Sequence, residues 1–99
     1  MHVVECTIRP KNGDIEKACE WWKKIVSMKG AWKNGQALSR LDGEQNVIIF
    51  RYTLESFVEE QEFWDNWMDS DALRYAQEAW KEYAEGSPTF HRYNVLHSY

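Results

Sequence analysis

The sequence predicts an α+β domain whose strands and helices follow the order β-α-β-β-α-β. Apolar residues alternate with polar ones near both ends of the chain, and they recur at helical spacing in two long segments. A hairpin signal separates those segments. Because the chain has 99 residues and no linker rich in proline, glycine or serine, we expect residues 1–99 to form a single domain.

The first strand and the first helix are distinguished by the spacing of their apolar residues, which changes from every second residue to helical spacing. Residues 2–9 alternate, and Pro10 ends the strand because it cannot donate a ladder hydrogen bond. Asp14 is the expected N-cap of the helix that follows. The stripe predicted to be buried in this helix consists of Ile15, Ala18, Cys19, Trp22, Ile25 and Val26. Trp21 and Met28 are expected on the opposite face.

The second helical region is predicted to contain two segments. Ser56 and Glu59 have the spacing of a capping box, so the first segment begins there. Its inner stripe is expected to consist of Phe57, Gln61, Trp64 and Met68, with Trp67 on the flank. Asp69, Ser70 and Asp71 are favourable N-cap residues within the helical spacing of apolar residues, which predicts a break or kink in the helix at this point. The segment after the break is expected to bury Leu73, Ala76, Trp80, Tyr83 and Ala84.

The remaining strands complete a sheet. Residues 35–41 and 46–53 are predicted to form a hairpin across Asp42 and Gly43, and residues 89–99 the last strand. The strand at 46–53 is the most apolar part of the chain and is expected to lie inside the sheet. Two right-handed crossovers around a hairpin give a four-stranded antiparallel sheet with both helices on one face, the ferredoxin-like arrangement.

The two faces of this sheet are expected to differ. The set predicted to face the helices is Val4, Cys6, Ile8, Leu41, Ile48, Phe50, Tyr52, Tyr93 and Val95. The set predicted on the bare face is Val3, Glu5, Thr7, Leu38, Arg40, Val47, Ile49, Arg51, Phe90, Arg92, Asn94 and Leu96. A solvated face would carry fewer aliphatic residues, and a monomer core would not hold three arginines. We therefore expect a homodimer through this face, with Arg40, Arg51 and Arg92 pairing with carboxylates such as Glu5.

The segment order, the broken second helix and the arginine-bearing bare face resemble the dimeric α/β-barrel superfamily, in particular the antibiotic-biosynthesis-monooxygenase-like domains. The resemblance extends over the whole chain. It implies a barrel made of two sheets and a cavity between sheet and helices. It also implies activities that range from cofactor-free oxygenation of aromatic substrates through haem degradation to polyketide cyclisation. The His-x-x-Ser stretch of many relatives corresponds here to Trp67-Met68-Asp69-Ser70, and residues 2–9 lack the asparagine of the haem-degrading branch, so haem is not expected.

Large side chains are predicted to line that cavity, since aromatic residues make up 15% of the chain. By periodicity the ligand-binding set is Trp22, Phe50, Tyr52, Trp64, Trp67, Met68, Trp80, Tyr83, His91 and Tyr93. His91 is the one candidate general base. Three hypotheses follow: a cofactor-free monooxygenase or isomerase of aromatic or carbonyl compounds, a non-catalytic carrier or sensor of an amphipathic ligand such as a fatty acid, and an assembly module whose cavity is filled by tryptophan.

Composition argues against other classes of function. The formal charge of −4 disfavours nucleic acid, and the longest apolar run, residues 47–50, is too short to span a membrane. Cys6 and Cys19 match neither a disulfide framework nor a zinc spacing, and the three histidines do not converge, so no metal or cofactor is expected.

Cys6 is interpreted as an inert core thiol, and Glu59, Glu60 and Glu62 as a solvated helix face. With no secretory signal recognised, a cytoplasmic location is expected.

Overall fold

The structure is a computed structural model that describes residues 1–99. In chain order its strands and helices are β1 (His2–Pro10), α1 (Ile15–Val26), β2 (Gly35–Ser39), β3 (Ile48–Leu54), α2 (Phe57–Trp67), α3 (Asp71–Tyr83) and β4 (Ala84–Asn94). A single 3₁₀ turn, Lys11–Gly13, joins β1 to α1. No helix has the length and apolar character needed to cross a membrane.

The four strands form one antiparallel sheet in the order β2-β3-β1-β4. The predicted interior position of β3 is confirmed. Directly paired residues share a face of an antiparallel sheet, and Cys6 is paired with Phe50 on β3 and with Phe90 on β4. The helices cover the face that carries the buried residues Val4 and Ile8. This α+β architecture is compatible with a ferredoxin-like fold.

Three side-chain caps set the starts of the helices, as the sequence predicts. The Asp14 carboxylate accepts from the Lys17 amide at 3.0 Å, and the Ser56 hydroxyl accepts from the Glu59 amide at 3.3 Å. The Ser70 hydroxyl accepts from the Leu73 amide at 3.1 Å, so the predicted break between α2 and α3 is confirmed. Each cap satisfies one of the backbone donors that a helix N-terminus leaves free.

The predicted hairpin is confirmed as the antiparallel pair of β2 and β3, but the connection between the two strands is longer than predicted. The pairing of β2 with β3 ends at Ser39 and Ile48, so Asp42 and Gly43 lie within a longer connection. Leu41, predicted to face the helices, lies in this connection and is 90% exposed. The side chains between residues 40 and 46 are all exposed and supply no buried residue to extend the ladder.

The predicted phase of the last strand is also wrong. β4 begins at Ala84, directly after α3, and ends at Asn94 rather than at residue 99. Pairing of Val4 with Arg92 places Phe90, Arg92 and Asn94 on the helix-covered face, and His91 and Tyr93 on the bare face. The register of β4 against β1 shifts between Thr7 and Arg9 of β1, so the first residues of β4 pair in a different register from the rest of the strand. Aromatic residues lie on both faces of β4, so the alternation of its sequence does not determine which face packs against the helices.

Burial on the helices differs from the predicted stripes. Trp21 is 2% exposed, because α3 covers the side of α1 that was expected to face outward; its ring is stacked on Tyr83 at 5.3 Å. On α2, three residues of the predicted inner stripe are exposed: Phe57, Gln61 and Met68. The inward residues there are Glu60, Phe63, Trp64 and Trp67. On α3, Ala72 and Ala76 are buried, while Leu73, Trp80 and Tyr83 are half-buried.

Candidate functional site

A cavity of about 490 Å³ lies between the covered face of the sheet and the helices. This volume falls within the range of small-molecule sites, roughly 300–1,000 Å³. Of the 18 residues that line the cavity, 15 are hydrophobic. They are Val4, Cys6, Ile8, Trp22, Ile25, Val26, Ala31, Trp32, Tyr52, Trp64, Trp67, Leu73, Ala76, Gln77, Trp80, Lys81, Pro88 and Phe90.

Every layer of the fold contributes to the lining. The floor is formed by alternate residues of β1 and by Tyr52 of β3, which project from the same face of the sheet. Trp22 comes from α1, Trp64 from α2 and Trp80 from α3. Trp32 comes from the connection between α1 and β2, which has no regular secondary structure. The site therefore depends on the packing of the whole domain.

Trp32 is the centre of an aromatic wall. Its ring meets Tyr52, Phe63 and Trp64 edge to face, at centroid distances of 5.0, 5.3 and 4.9 Å. Trp64 in turn meets Phe90 edge to face at 5.4 Å. Edge-to-face pairs are the favoured geometry of aromatic rings and stabilise beyond the burial of area. The wall is thus held by contacts between its own rings.

Tyr52 depends on a glycine opposite it. A Cβ atom at Gly35, its partner on β2, would lie 2.4 Å from the Tyr52 ring, so any larger residue there would collide with the ring. Tyr52 is 5% exposed, and burial raises the pKa of its phenol above the ordinary range. Its hydroxyl is therefore protonated at neutral pH.

A buried ionic cluster anchors the same wall. Glu60 of α2 is 1% exposed, and its carboxylate accepts hydrogen bonds from three side chains. The donors are Arg92 through Nη2 at 2.7 Å, His2 through Nε2 at 2.6 Å and Trp64 through Nε1 at 2.9 Å. Burial acts to raise the pKa of Glu60, but the bonds from Arg92, His2 and Trp64 outweigh it and lower the pKa to about 2. Glu60 is therefore ionised, contrary to the prediction of a solvated face at Glu59, Glu60 and Glu62.

The lining itself contains few groups able to do chemistry. No histidine and no carboxylate are among the 18 lining residues. The Cys6 thiol is buried, as predicted, and burial raises its pKa to about 12, so it stays protonated. Gln77 and Lys81 are the two lining residues with fully polar side-chain ends. No group of three or more histidine, cysteine, aspartate or glutamate side chains is placed to hold a metal ion.

The structure brings only part of the predicted ligand-binding set to the cavity. Trp22, Tyr52, Trp64, Trp67 and Trp80 line it. Phe50 lies behind Trp22, with the two rings stacked at 4.0 Å, and Tyr83 is stacked on Trp21.

Three other predicted ligand-binding residues lie elsewhere. Met68 is 57% exposed at the end of α2. His91 and Tyr93 lie on the bare face, because the phase of β4 is the reverse of the prediction. The candidate general base is thus on the other side of the sheet from the cavity.

The four residues predicted to lie at the dimer interface, Glu5, Arg40, Arg51 and Arg92, do not lie together in the structure. Glu5 and Arg51 lie side by side on the bare face, and Arg51 Nη2 is 2.6 Å from Glu5 Oε2. Arg40 lies in the connection after β2, beside Gly43. Arg92 lies on the opposite, covered face, where it binds Glu60, so its prediction as a bare-face residue is wrong.

Several residues of the site escaped prediction for identifiable reasons. Trp32 lies outside any periodic segment, and only its size marked it as a core residue. Phe90 was assigned to the wrong face with the rest of β4. Glu60 is a charged residue between a half-buried Glu59 and an exposed Gln61, and its burial follows from partners on β1 and β4 that are distant in the sequence.

Comparison with known proteins shows similarity at the level of fold. No family model matches the chain, and a search of curated proteins found no match. Among solved structures, a protein from Agrobacterium tumefaciens has a TM-score of 0.71 at 16% identity, covering 95% of this chain and 92% of that one. An uncharacterized NIPSNAP domain protein from Burkholderia xenovorans has a TM-score of 0.71 at 11% identity, covering 99% of both chains. A protein of unknown function from Nitrosomonas europaea has a TM-score of 0.66 at 8% identity, covering 99% and 91%.

Proposed function

We propose that this protein is a homodimeric small-molecule-binding domain that holds an apolar or amphipathic compound in the aromatic cavity. The observation that carries the proposal is a cavity of about 490 Å³ inside a chain of only 99 residues. The cavity is partly open to solvent, so without an occupant its apolar walls are in contact with water, which has a cost in free energy. A bound compound that fills the space offsets that cost.

The character of the lining favours binding over catalysis. A cofactor-free oxygenase or isomerase needs a group that moves a proton at the substrate. Cys6 and Tyr52 both hold their protons tightly, and the lining has no histidine or carboxylate. A carrier or sensor needs only shape, apolar surface and a few orienting polar groups. Both cysteines are free thiols, which fits a cytoplasmic location.

The bare face of the sheet supports the homodimer. It carries Val3, Leu38 and Ile49, which are only half-buried within the chain, and Tyr93, which is 50% exposed. The Glu5–Arg51 ion pair crosses the middle of this apolar surface. A mixture of aliphatic residues and paired charges is typical of protein interfaces. Pairing two such sheets would give the dimeric α/β barrel.

Tryptophan emission tests the binding function. The neutral aromatic probe naphthamide is titrated into the wild-type protein, into Trp67→Ala and into Trp21→Phe, whose altered residue lies outside the cavity lining. We expect saturable quenching in the wild type and in Trp21→Phe, and at least tenfold weaker binding in Trp67→Ala. Unchanged emission, together with no heat in isothermal titration calorimetry, would show that tryptophan packing is the whole role of these residues.

Sedimentation tests the homodimer separately. The wild-type protein should sediment at micromolar concentration with about twice the 11.8 kDa chain mass. Ile49→Lys places a charge in the middle of the bare face and should give monomers, whereas Gln61→Lys on the exposed side of α2 should leave the dimer intact. A wild-type monomer would remove the barrel from the proposal and leave the cavity to be tested alone.

A further inference from the structure

One charged residue borders the apolar cavity. Lys81 lies in the last turn of α3 and is the single charged residue among the 18 that line the cavity. It takes part in none of the six ion pairs of the structure. Three carboxylates lie close to it in sequence, Glu78, Glu82 and Glu85, and none of them pairs with it. Glu85 instead accepts a hydrogen bond from the Asn12 amide.

Other lysines of the helices have partners of their own. Lys23 pairs with Glu20 at 3.0 Å, and the ammonium groups of Lys17 and Lys24 lie over tyrosine rings. Lys11 donates to the backbone carbonyl of Lys81 at 2.9 Å, which brings a second positive charge to the same end of α3. A lysine in the last turn of a helix also interacts with the helix dipole. The helix dipole would explain a positive charge near the end of α3, but it does not explain why that charge borders the cavity.

The apolar part of the lining indicates a rigid, flat occupant. Seven of the 18 lining residues are aromatic: Trp22, Trp32, Tyr52, Trp64, Trp67, Trp80 and Phe90. The Trp32 ring meets its neighbours at interplanar angles of 65 to 79°, so these rings are packed edge to face rather than stacked on one another. Aromatic ligands gain specific ring contacts on such a surface in addition to the burial of apolar area.

We propose that the cavity binds an anionic aromatic compound, with the flat body against the tryptophans and a carboxylate or similar anionic group at Lys81. This inference rests on the proposed binding function and adds the chemical class of the ligand. The protein has a net charge of −4, so its overall field does not attract anions. A local cation at the rim of an apolar site supplies the attraction that the rest of the surface lacks.

The test compares two probes of the same shape that differ in charge, naphthoate and the neutral naphthamide. Their dissociation constants are measured by isothermal titration calorimetry with wild-type protein, Lys81→Gln and the control Lys23→Gln. Lys23 occupies the equivalent last turn of α1 but does not line the cavity. We expect wild type and Lys23→Gln to bind naphthoate about tenfold more tightly than naphthamide, the size of effect typical of a charge-assisted hydrogen bond. Lys81→Gln should lose this preference, and Lys81→Arg should keep it.

The possible outcomes separate this inference from the binding function. Equal affinity for naphthoate and naphthamide in the wild type and in Lys81→Gln would overturn the anionic class while leaving the binding function in place. Tighter binding of decanoate than of naphthoate would overturn the aromatic class in favour of an alkyl chain. Binding of none of the probes would overturn the binding function and this inference together. Melting temperatures of the variants within a few degrees of the wild type confirm that each is folded.

Discussion

Arg92 of β4 holds Glu60 of α2 through one edge of its guanidinium, the edge formed by Nε and Nη2. Nη2 lies 2.7 Å from Oε2, and Nε lies 2.9 Å from each carboxylate oxygen. The same carboxylate receives the indole N–H of Trp64, which forms part of the cavity wall. The ion pair therefore positions a cavity-lining ring as well as joining a helix to the sheet, and this connects the buried charge to the candidate site.

Glu60→Gln should destabilise the protein strongly. The amide cannot balance the Arg92 charge, and it leaves donors of Arg92, His2 and Trp64 poorly satisfied. We expect a loss of about 3 kcal/mol in the free energy of unfolding, measured by urea denaturation. Glu62→Gln, on the same helix but exposed, should change it by less than about 0.5 kcal/mol. Equal effects of the two substitutions would contradict the role assigned to Glu60.

The Glu60 contribution should disappear in acid. Its pKa is lowered from an ordinary 4.5 to about 2 in the folded protein, so its stabilising effect is complete above pH 4.5 and is lost as the pH falls towards 2. The shift corresponds to roughly 3 kcal/mol. The difference in unfolding free energy between the wild type and Glu60→Gln should therefore be constant from pH 7 to about 5 and should shrink below that range. A difference that stays constant down to pH 2.5 would show that the carboxylate charge is not the source of the stability.

Trp64 and Trp67 should respond differently to substitution, although both line the cavity. Trp64 contacts the rings of Trp32 and Phe90 and donates to Glu60, so Trp64→Ala should cost about 3–5 kcal/mol of stability. Trp67 packs against the core but makes no such ring pair or side-chain hydrogen bond, so Trp67→Ala should mainly weaken the binding of aromatic probes. Thermal melts of the two variants with and without naphthamide measure both effects. Large and equal losses of Tm with no ligand response would assign both residues to packing alone.

Gly35→Ala should disturb the cavity through Tyr52. The new methyl group would collide with the Tyr52 ring, and overpacking of this kind costs about 1–3 kcal/mol. Because the displaced ring belongs to the cavity floor, probe affinity should fall as well. Gly13→Ala is the control: its φ of 69° disfavours alanine, but the nearest atom to the new Cβ is Asn46 Oδ1 at 3.7 Å, an ordinary contact, and Gly13 does not line the cavity. The control should lose stability without losing affinity, and loss of affinity in both variants would contradict a specific contact at Gly35.

The sequence predicted the order of elements because each element carries its own local signal. Asp14, Ser56 and Ser70 cap their helices through backbone groups only three residues away. The alternation in β1 likewise reports directly which face is buried. Such signals do not depend on distant parts of the chain, and for this reason the helix starts, the helix break and the sheet could be predicted.

The errors arose where the environment is set by distant residues. The phase of β4 depends on its pairing with β1, and both faces of β4 carry aromatic residues. Trp21 is buried by α3, a helix that lies about fifty residues further along the chain. Glu60 is buried because Arg92 and His2 reach it from two strands, and no pattern within α2 indicates such partners. Half of the predicted ligand-binding set therefore lines the cavity, whereas the charged groups around the cavity were not predicted.

The indole signals of the six tryptophans give the most direct test of an aromatic ligand cavity. Five tryptophans line the cavity, and Trp21 does not, so the chain carries an internal control. In a proton–nitrogen correlation spectrum assigned with single Trp→Phe variants, naphthoate should shift the signals of Trp22, Trp32, Trp64, Trp67 and Trp80 with one common dissociation constant. The Trp21 signal should move least. A spectrum in which no indole signal shifts at saturating probe, or in which Trp21 shifts as much as the others, would contradict the cavity as the binding site.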